Sequence, residues 1–206
     1  VVKGSSQRKG IDFDEIFSPV VKIGSIWVIL GLAASLDLEV EQMDVKTAFL
    51  PGDLDKEIYM EQLEDFQVKG KEDYVCRLQK SLYGLKQAPR QWYKKFESVM
   101  GEQGYHKTTS DHCVFFQRIG DDDFIILLLY VDNMLIVGKN AERIVQLKKQ
   151  LSKSFAMKDL GAENRFLAFG LLEIELKRSC ICHKSNTLRR CFADSTWIKR
   201  KWLGRL

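Results

Sequence analysis

The stretch FIILLLYVDNMLIV at residues 124–137 decides the fold of this chain. Two strongly apolar runs, Phe124–Tyr130 and Met134–Val137, lie on either side of the polar residues Asp132 and Asn133. Short apolar runs bounded by turn residues are typical of buried β-strands. The sequence therefore predicts a hairpin whose tight turn places the Asp132 carboxylate at the edge of a sheet.

Outside this hairpin, helix and strand patterns alternate along the chain. Three segments have apolar residues at helical spacing, and three more have the composition of strands. The predicted helices are Val20–Leu36, Pro89–Gln103 and Ala141–Phe155, and the further predicted strands are Leu38–Asp44, Ile58–Met60 and Val114–Gln117. This order predicts an α+β fold with helices packed on an antiparallel sheet.

The predicted helix Ala141–Phe155 is amphipathic. Asn140 precedes it as a candidate N-cap, because its side-chain oxygen can accept from the first free N–H groups of a helix. The apolar residues predicted to face inward are Ile144, Leu147, Leu151 and Phe155, and the lysines predicted to face outward are Lys148, Lys149 and Lys153. This pattern predicts packing through the apolar side only.

The composition is that of a globular protein. The chain has 206 residues, of which 45% are hydrophobic and 29% charged, and its formal net charge is +4. These values exclude disordered and collagen-like chains, and they allow one domain or two small lobes. A charge of +4 is weak support for a polyanionic partner, because it suits any soluble enzyme.

The sequence also bounds where the protein works. Its apolar runs are far shorter than the roughly 20 residues of a membrane-spanning helix. The chain opens on Val1 without a basic and apolar leader, so no signal peptide is expected. Five cysteines without zinc spacing favour a reduced, intracellular setting.

A second carboxylate ends another predicted strand. Asp44 closes the segment Leu38–Asp44, so Asp44 and Asp132 could meet at neighbouring strand ends. Paired carboxylates at such a place bind Mg²⁺, a hard cation that prefers oxygen ligands and leaves room for substrate phosphates. Two such ions form the template for in-line phosphoryl transfer. The alternative is that Asp132 and Asn133 are simply good turn formers.

Seven motifs in collinear order resemble one known family. They are SPVVK (18–22), MDVKTAFLPGDL (43–54), EIYMEQ (57–62), SLYGLKQAPRQWY (81–93), DHCVF (111–115), ILLLYVDN (126–133) and FAMKDLG (155–161). Together they closely resemble the reverse transcriptase of copia-type long-terminal-repeat retrotransposons, over about residues 1 to 161. The resemblance implies a right-hand polymerase palm with partial fingers and a template–primer groove. It also implies an intracellular place, in a cytoplasmic particle or the nucleus.

The resemblance assigns a metal site and a nucleotide site. Asp44 and Asp132 would hold two Mg²⁺ ions with help from the backbone carbonyl of Val45. The residues assigned to the incoming dNTP are Lys46, Thr47, Ala48 and Phe49. Phe49 occupies the position of the family's steric gate, an aromatic ring that excludes a 2′-hydroxyl. Its alternative reading is a core aromatic.

Contacts to an RNA or DNA template and its primer are expected from a second group of residues. By the resemblance, these are Lys86, Gln87, Arg90 and Tyr130. Basic side chains beside aromatics suit a single-stranded template track. The alternative for Lys86 is a solvated residue at a helix start.

The chain departs from the family motif at the hairpin turn. The family has two consecutive aspartates where this chain has Asp132 and Asn133. The change removes one negative charge from a site expected to hold two dications. We therefore expect an inactive or severely impaired polymerase.

A second departure begins near Ala162. With permitted codon choices, residues 162–206 can be reread in a shifted frame as a sequence that looks like the family's continuation. The sequence predicts a palm and partial fingers over 1–161 and a frameshifted, irregular tail over 162–206, with the primer-gripping strands lost. Two alternatives stay open, a noncatalytic nucleic-acid-binding remnant and the product of a pseudogene without function.

Overall fold

The computed structural model describes residues 3–120 and 123–161, and the predicted tail at 162–206 lies outside them. The described residues fall into two compact units. The first unit comprises 3–19 and 46–104, and the second comprises 20–45 and 105–161. No helix of the described residues is long and apolar enough to cross a membrane.

The described residues form an α+β fold, as the sequence predicts. The strands are β1 (Glu39–Val45), β2 (Tyr59–Glu61), β3 (Val75–Arg77), β4 (His106–Lys107), β5 (Val114–Arg118), β6 (Phe124–Tyr130), β7 (Asn133–Gly138) and β8 (Met157–Gly161). The α-helices are α1 (Ile23–Leu36), α2 (Ala88–Glu102) and α3 (Ala141–Ser154), and two 3-10 helices span Gly4–Ser6 and Glu64–Phe66.

The second unit is built on a six-stranded sheet with the order β4-β5-β6-β7-β1-β8, in which every pair is antiparallel. The predicted hairpin of β6 and β7 is confirmed, with Tyr130 opposite Asn133 at its closed end. All residues from 125 to 129 are buried, so both faces of the sheet are covered at this point. Strand β1 pairs with β7, although more than eighty residues separate them in the sequence, and this pairing determines the candidate site.

Helix α1 begins three residues later than the sequence predicts, at Ile23. The buried carboxylate of Asp111 caps this start. Its Oδ2 accepts from the Lys22 N–H at 2.8 Å and from the Ser25 hydroxyl at 2.6 Å, and its Oδ1 accepts from the Cys113 N–H at 3.0 Å. The free N–H groups of a helix start favour a carboxylate there. A residue almost ninety positions away thus sets the boundary.

Helix α3 confirms the predicted cap and apolar side. The Asn140 Oδ1 accepts from the N–H groups of Glu142 at 3.0 Å and Arg143 at 3.3 Å. The inward-facing residues Ile144, Leu147, Leu151 and Phe155 are all buried.

The prediction for Lys148 is wrong, because its side chain is buried rather than exposed to solvent. Its ammonium group pairs with Glu41 of β1 and lies 2.6 Å from Asp159 Oδ1 of β8. A buried charge is tolerated when carboxylates compensate it. These partners belong to other elements, so the pattern of the helix alone could not reveal them.

The first unit contains the β2–β3 hairpin and α2. Helix α2 confirms its predicted apolar face, since Trp92, Phe96 and Met100 are almost completely buried. The strand predicted at Ile58–Met60 is displaced by one residue. Ile58 instead belongs to a core cluster with Leu85 and Ala88, and its carbonyl accepts from the Leu78 N–H at 2.8 Å.

Candidate active site

The turn between β6 and β7 carries the first candidate carboxylate. Only Val131 and Asp132 separate the paired residues Tyr130 and Asn133. Val131 has φ 57°, in the left-handed region that β-branched residues rarely adopt. Two-residue hairpin turns need positive φ, and here a valine supplies it at a cost of about 1–3 kcal/mol. The packed strands on either side therefore hold Asp132 in a fixed and strained turn.

The structure brings the second carboxylate to this turn. Asp44 of β1 is the cross-strand partner of Asn133. Directly opposed residues share a face of the sheet, with Cβ atoms about 4.5–5.5 Å apart. The next residue, Val45, donates its N–H to the Asp132 carbonyl oxygen at 2.9 Å. The end of β1 is thus tied to the turn, and the two predicted carboxylates lie at neighbouring strand ends.

The amide of Asn133 lies between two polar side chains. Its Nδ2 donates to Asp132 Oδ1 at 3.2 Å, and its Oδ1 accepts from Gln42 Nε2 at 3.4 Å. Gln42 is buried and was not predicted as a site residue. The available signal was its position two residues before Asp44, which places both side chains on one face of β1.

Lys158 is the second residue that the sequence did not single out. It pairs with Asp44 across β1 and β8, so it lies in the same cross-strand row as Asp44 and Asn133. Its motif, FAMKDLG, was recognised from the sequence, but the pairing of its strand with β1 could not be read from local pattern. This row places a lysine beside the candidate carboxylates.

The two carboxylates suit a hard cation, because Asp44 and Asp132 supply the oxygen ligands that Mg²⁺ prefers. Among residues 3–120 and 123–161, no group of three or more His, Cys, Asp or Glu side chains could hold a metal ion. The neighbouring side chain of Asn133 turns its amide nitrogen toward Asp132. The donor set therefore fits one hydrated cation better than a closely spaced pair.

The residues assigned to the nucleotide follow β1 directly and belong to the first unit. Lys46 is exposed, Thr47 is half-buried and Ala48 is buried. The Phe49 ring packs on Tyr83 with ring centroids 4.9 Å apart, and it lies against the core cluster of the first unit. Its packing agrees with the alternative of a core aromatic, and its role as a steric gate stays a prediction.

Lys86 is held inside the first unit. Its ammonium group donates to the Gln7 carbonyl oxygen at 3.0 Å and lies over the Phe13 ring, 5.4 Å from the centroid. Its backbone N–H donates to Gln7 Oε1 at 2.8 Å. This arrangement differs from the alternative of a solvated residue at a helix start, and the expected template contact of Lys86 stays a prediction.

Gln87 and Arg90 hold the same N-terminal segment. Gln87 Nε2 donates to the Asp12 carbonyl oxygen at 3.2 Å, and the Arg90 guanidinium donates to the Phe17 carbonyl oxygen at 3.0 Å. The three predicted template residues of the first unit therefore bind the backbone of residues 7–17. Tyr130, the fourth, is half-buried at the end of β6 in the second unit.

Comparison with known proteins agrees with the motifs. A family model described as reverse transcriptase (RNA-dependent DNA polymerase) matches residues 1–184. The Retrovirus-related Pol polyprotein from transposon TNT 1-94 of Nicotiana tabacum is 65% identical over 178 residues, which cover 86% of this chain and 13% of that protein. The corresponding protein from transposon RE2 of Arabidopsis thaliana is 40% identical over 86% of this chain and 12% of its own length.

More distant relatives match as well. The Transposon Ty1-DR4 Gag-Pol polyprotein of Saccharomyces cerevisiae is 27% identical over 86% of this chain and 11% of its own length. The chain thus spans about an eighth of the length of these three relatives. No solved structure matches the chain. Because the family model covers most of the chain and includes the hairpin that carries Asp132, the chain belongs to the reverse transcriptase (RNA-dependent DNA polymerase) family.

Proposed function

We propose that this chain is the polymerase core of a retrotransposon Pol polyprotein, with a palm and partial fingers over residues 1–161. Its ancestral reaction is RNA-directed DNA synthesis, in which dNTPs extend a primer on an RNA or DNA template. The observation that carries this proposal is the pairing of Asp44 with the end of the carboxylate hairpin. We place the reaction in a cytoplasmic particle or the nucleus, as expected for such elements.

Asp44, Asp132 and the Val45 carbonyl would hold Mg²⁺ in this function. In the ancestral reaction two Mg²⁺ ions would activate the primer 3′-hydroxyl and neutralise charge on the triphosphate, and the donor set of this copy suits one of them. The chain's own residues fix the geometry. The Val45–Asp132 backbone bond holds the strand ends together, and the strained turn orients the Asp132 carboxylate.

We propose further that Asn133 leaves this copy severely impaired. The substitution removes one of three negative charges, and the remaining amide donates a hydrogen bond to Asp132. Loss of one charge-assisted contact at a catalytic centre costs several kcal/mol, or about two to three orders of magnitude in rate. The carboxylate of Asp132 alone does not replace the carboxylate that is lost at position 133.

Primer extension tests this proposal. The purified chain should extend a primer with dNTPs and Mg²⁺ far more slowly than its Asn133→Asp variant. An Asp132→Asn change in the same revertant should abolish the gain, because it removes the first carboxylate of the turn. Equal extension by the parent chain and the revertant would contradict the impairment. Salt-dependent binding of primer–template by an inactive revertant would favour the noncatalytic binding remnant.

The C-terminal segment should limit how much activity the Asn133→Asp change restores. In our proposal a frameshift near Ala162 replaces the primer-gripping strands, so even the revertant should extend primers weakly. The family match extends past this point to residue 184, so the proposal depends on the reread sequence and not on where the match ends. The encoding DNA decides it, because an open shifted frame must continue the family pattern. A DNA sequence without such a frame would contradict the proposed frameshift.

A further inference from the structure

Gln42 is a buried polar residue beside the candidate active site. Only 5% of the surface of Gln42 is exposed. Gln42 and Asp44 lie two positions apart on β1, so their side chains share one face of the sheet. Gln42 Nε2 reaches Asn133 Oδ1, the oxygen that could otherwise serve as a metal ligand. Gln42 is therefore placed to control how position 133 faces the carboxylates.

The chemistry of the neighbours determines the orientation of the Asn133 amide. An ionised carboxylate only accepts hydrogen bonds, so the Asn133 atom facing Asp132 Oδ1 must be the nitrogen, as the 3.2 Å contact shows. The amide oxygen then points away from Asp132. It meets the Gln42 side chain, which offers its NH₂ group. Both neighbours thus favour the same orientation.

We propose that Gln42 is a positioning residue that locks the Asn133 amide with its nitrogen toward Asp132. Position 133 then presents N–H donors, rather than an oxygen ligand, to a cation at the carboxylate pair. The inference rests on the proposed function, because that cation is the one Asp44 and Asp132 would bind. Impairment by Asn133 consequently has two parts, a lost charge and a misdirected amide.

The proposal predicts that Gln42 has opposite effects on cation binding when position 133 is asparagine and when it is aspartate. Turning the amide over would face its oxygen to the Asp132 carboxylate and its NH₂ to the Gln42 NH₂. A bound cation relieves the first repulsion, whereas the second persists unless the Gln42 amide turns at the same time, which would break its observed contact with Asn133. With aspartate at 133, the Gln42 NH₂ would instead donate to the new carboxylate and hold it in place. Gln42 therefore opposes cation binding with Asn133 and supports it with Asp at that position.

The test is a titration with Mn²⁺ alone, followed by the electron paramagnetic resonance signal of free Mn²⁺. It uses the full 206-residue chain, Gln42→Leu, Asn133→Asp and the double variant. Gln42→Leu should tighten Mn²⁺ binding about fivefold in the parent and weaken it about fivefold in the revertant, as expected for one hydrogen bond. Gln91→Leu is the matched control, since Gln91 is equally buried but belongs to the first unit. An effect of Gln42→Leu with the same sign in both backgrounds would overturn the proposal.

A second measurement needs no metal. In a nitrogen–proton correlation spectrum, the NH₂ signals of Asn133 are identified by their loss in Asn133→Asp. Gln42→Leu should shift these signals, whereas Gln91→Leu should leave them in place. Unmoved signals in Gln42→Leu would show that no lock exists. If the revertant binds Mn²⁺ no better than the parent, the metal assignment of the proposed function fails, and the NH₂ signals still decide the role of Gln42.

Discussion

The ammonium group of Lys148 on α3 lies 2.6 Å from Asp159 Oδ1 on the edge strand β8, and it also pairs with Glu41 on β1. One side chain thus connects helix α3 with the edge strand β8 and with its neighbour β1. Only 8% of the Lys148 side chain is exposed, whereas 56% of the Asp159 side chain is exposed. The pair with Glu41, whose side chain is 16% exposed, is therefore the more strongly shielded from solvent.

Replacing Lys148 by methionine should destabilise the protein by about 2 kcal/mol, because Glu41 would be left half-buried without its cation. The free energy of unfolding in urea measures this loss. The exposed Lys149→Met is the matched control and should stay within about 0.5 kcal/mol of the parent. Adding Glu41→Gln to Lys148→Met should recover part of the loss. A loss that is equal for both lysines would contradict the role of the buried pair.

The contact between Lys148 and Asp159 should also make stability depend on pH. Desolvation raises the pKa of Asp159, but the hydrogen bonds from Lys148 and from the Gly161 N–H, together with the charge of Lys148, hold this pKa below the ordinary value of 3.8. The carboxylate thus titrates lower in the folded chain than in the unfolded chain. Its stabilisation is present above pH 3.8 and is lost as the pH falls through the folded value.

The pKa of Lys148 shifts in the opposite direction to that of Asp159. Desolvation lowers its pKa, but the hydrogen bonds that Lys148 donates to Asp159 and Glu41, together with the negative charges of these carboxylates, raise it above 10.5 overall. That stabilisation is lost as the pH rises through the folded value. Urea unfolding of the parent and of Asp159→Asn should therefore differ at pH 7, and this difference should shrink as the pH falls below 3.8 and through the lower folded pKa of Asp159. A difference that persists unchanged at low pH would contradict the ion pair.

The buried Asp111 should be worth more to stability than an exposed turn residue. Asp111→Ala removes the acceptor of the Lys22 N–H and of the Ser25 hydroxyl at the start of α1. We expect a loss of about 2 kcal/mol, the upper range for a helix cap. Hydrogen exchange in the first turn of α1 should rise together with this loss. Ser110→Ala is the control, because only the backbone carbonyl of Ser110 contacts Lys22.

The turn residue Val131 offers a direct test of strain. Val131→Gly should stabilise the protein by about 1 kcal/mol, because glycine adopts positive φ freely and this gain exceeds its entropic disadvantage. Val131→Ala should gain less, since alanine keeps a Cβ atom in the left-handed region. Thermal unfolding of both variants measures the difference. If Val131→Gly were less stable than Val131→Ala, the turn would not be strained.

Local pattern predicted the apolar hairpin of β6 and β7 and the buried faces of α2 and α3, because repeated apolar spacing is a property of each segment alone. It failed for Lys148 and Gln42, whose polar partners come from other elements. Lys86 shows the same limit, since a basic residue at a helix start gives no sign that the Gln7 carbonyl will bind it. The family motifs identified the carboxylates, whereas only the register of β1 with β7 and β8 revealed their neighbours Gln42 and Lys158.

The N-terminal segment should loosen when Gln87 is truncated. Gln87 is buried, accepts from Gln7 Nε2 at 3.0 Å and donates to the Asp12 carbonyl oxygen at 3.2 Å. Gln87→Ala removes both bonds, so residues 7–17 should be cleaved faster in limited proteolysis and exchange their amide hydrogens faster. Gln67→Ala changes an exposed glutamine of the same unit and should alter neither rate. Unchanged cleavage of residues 7–17 in Gln87→Ala would contradict the prediction that Gln87 holds this segment.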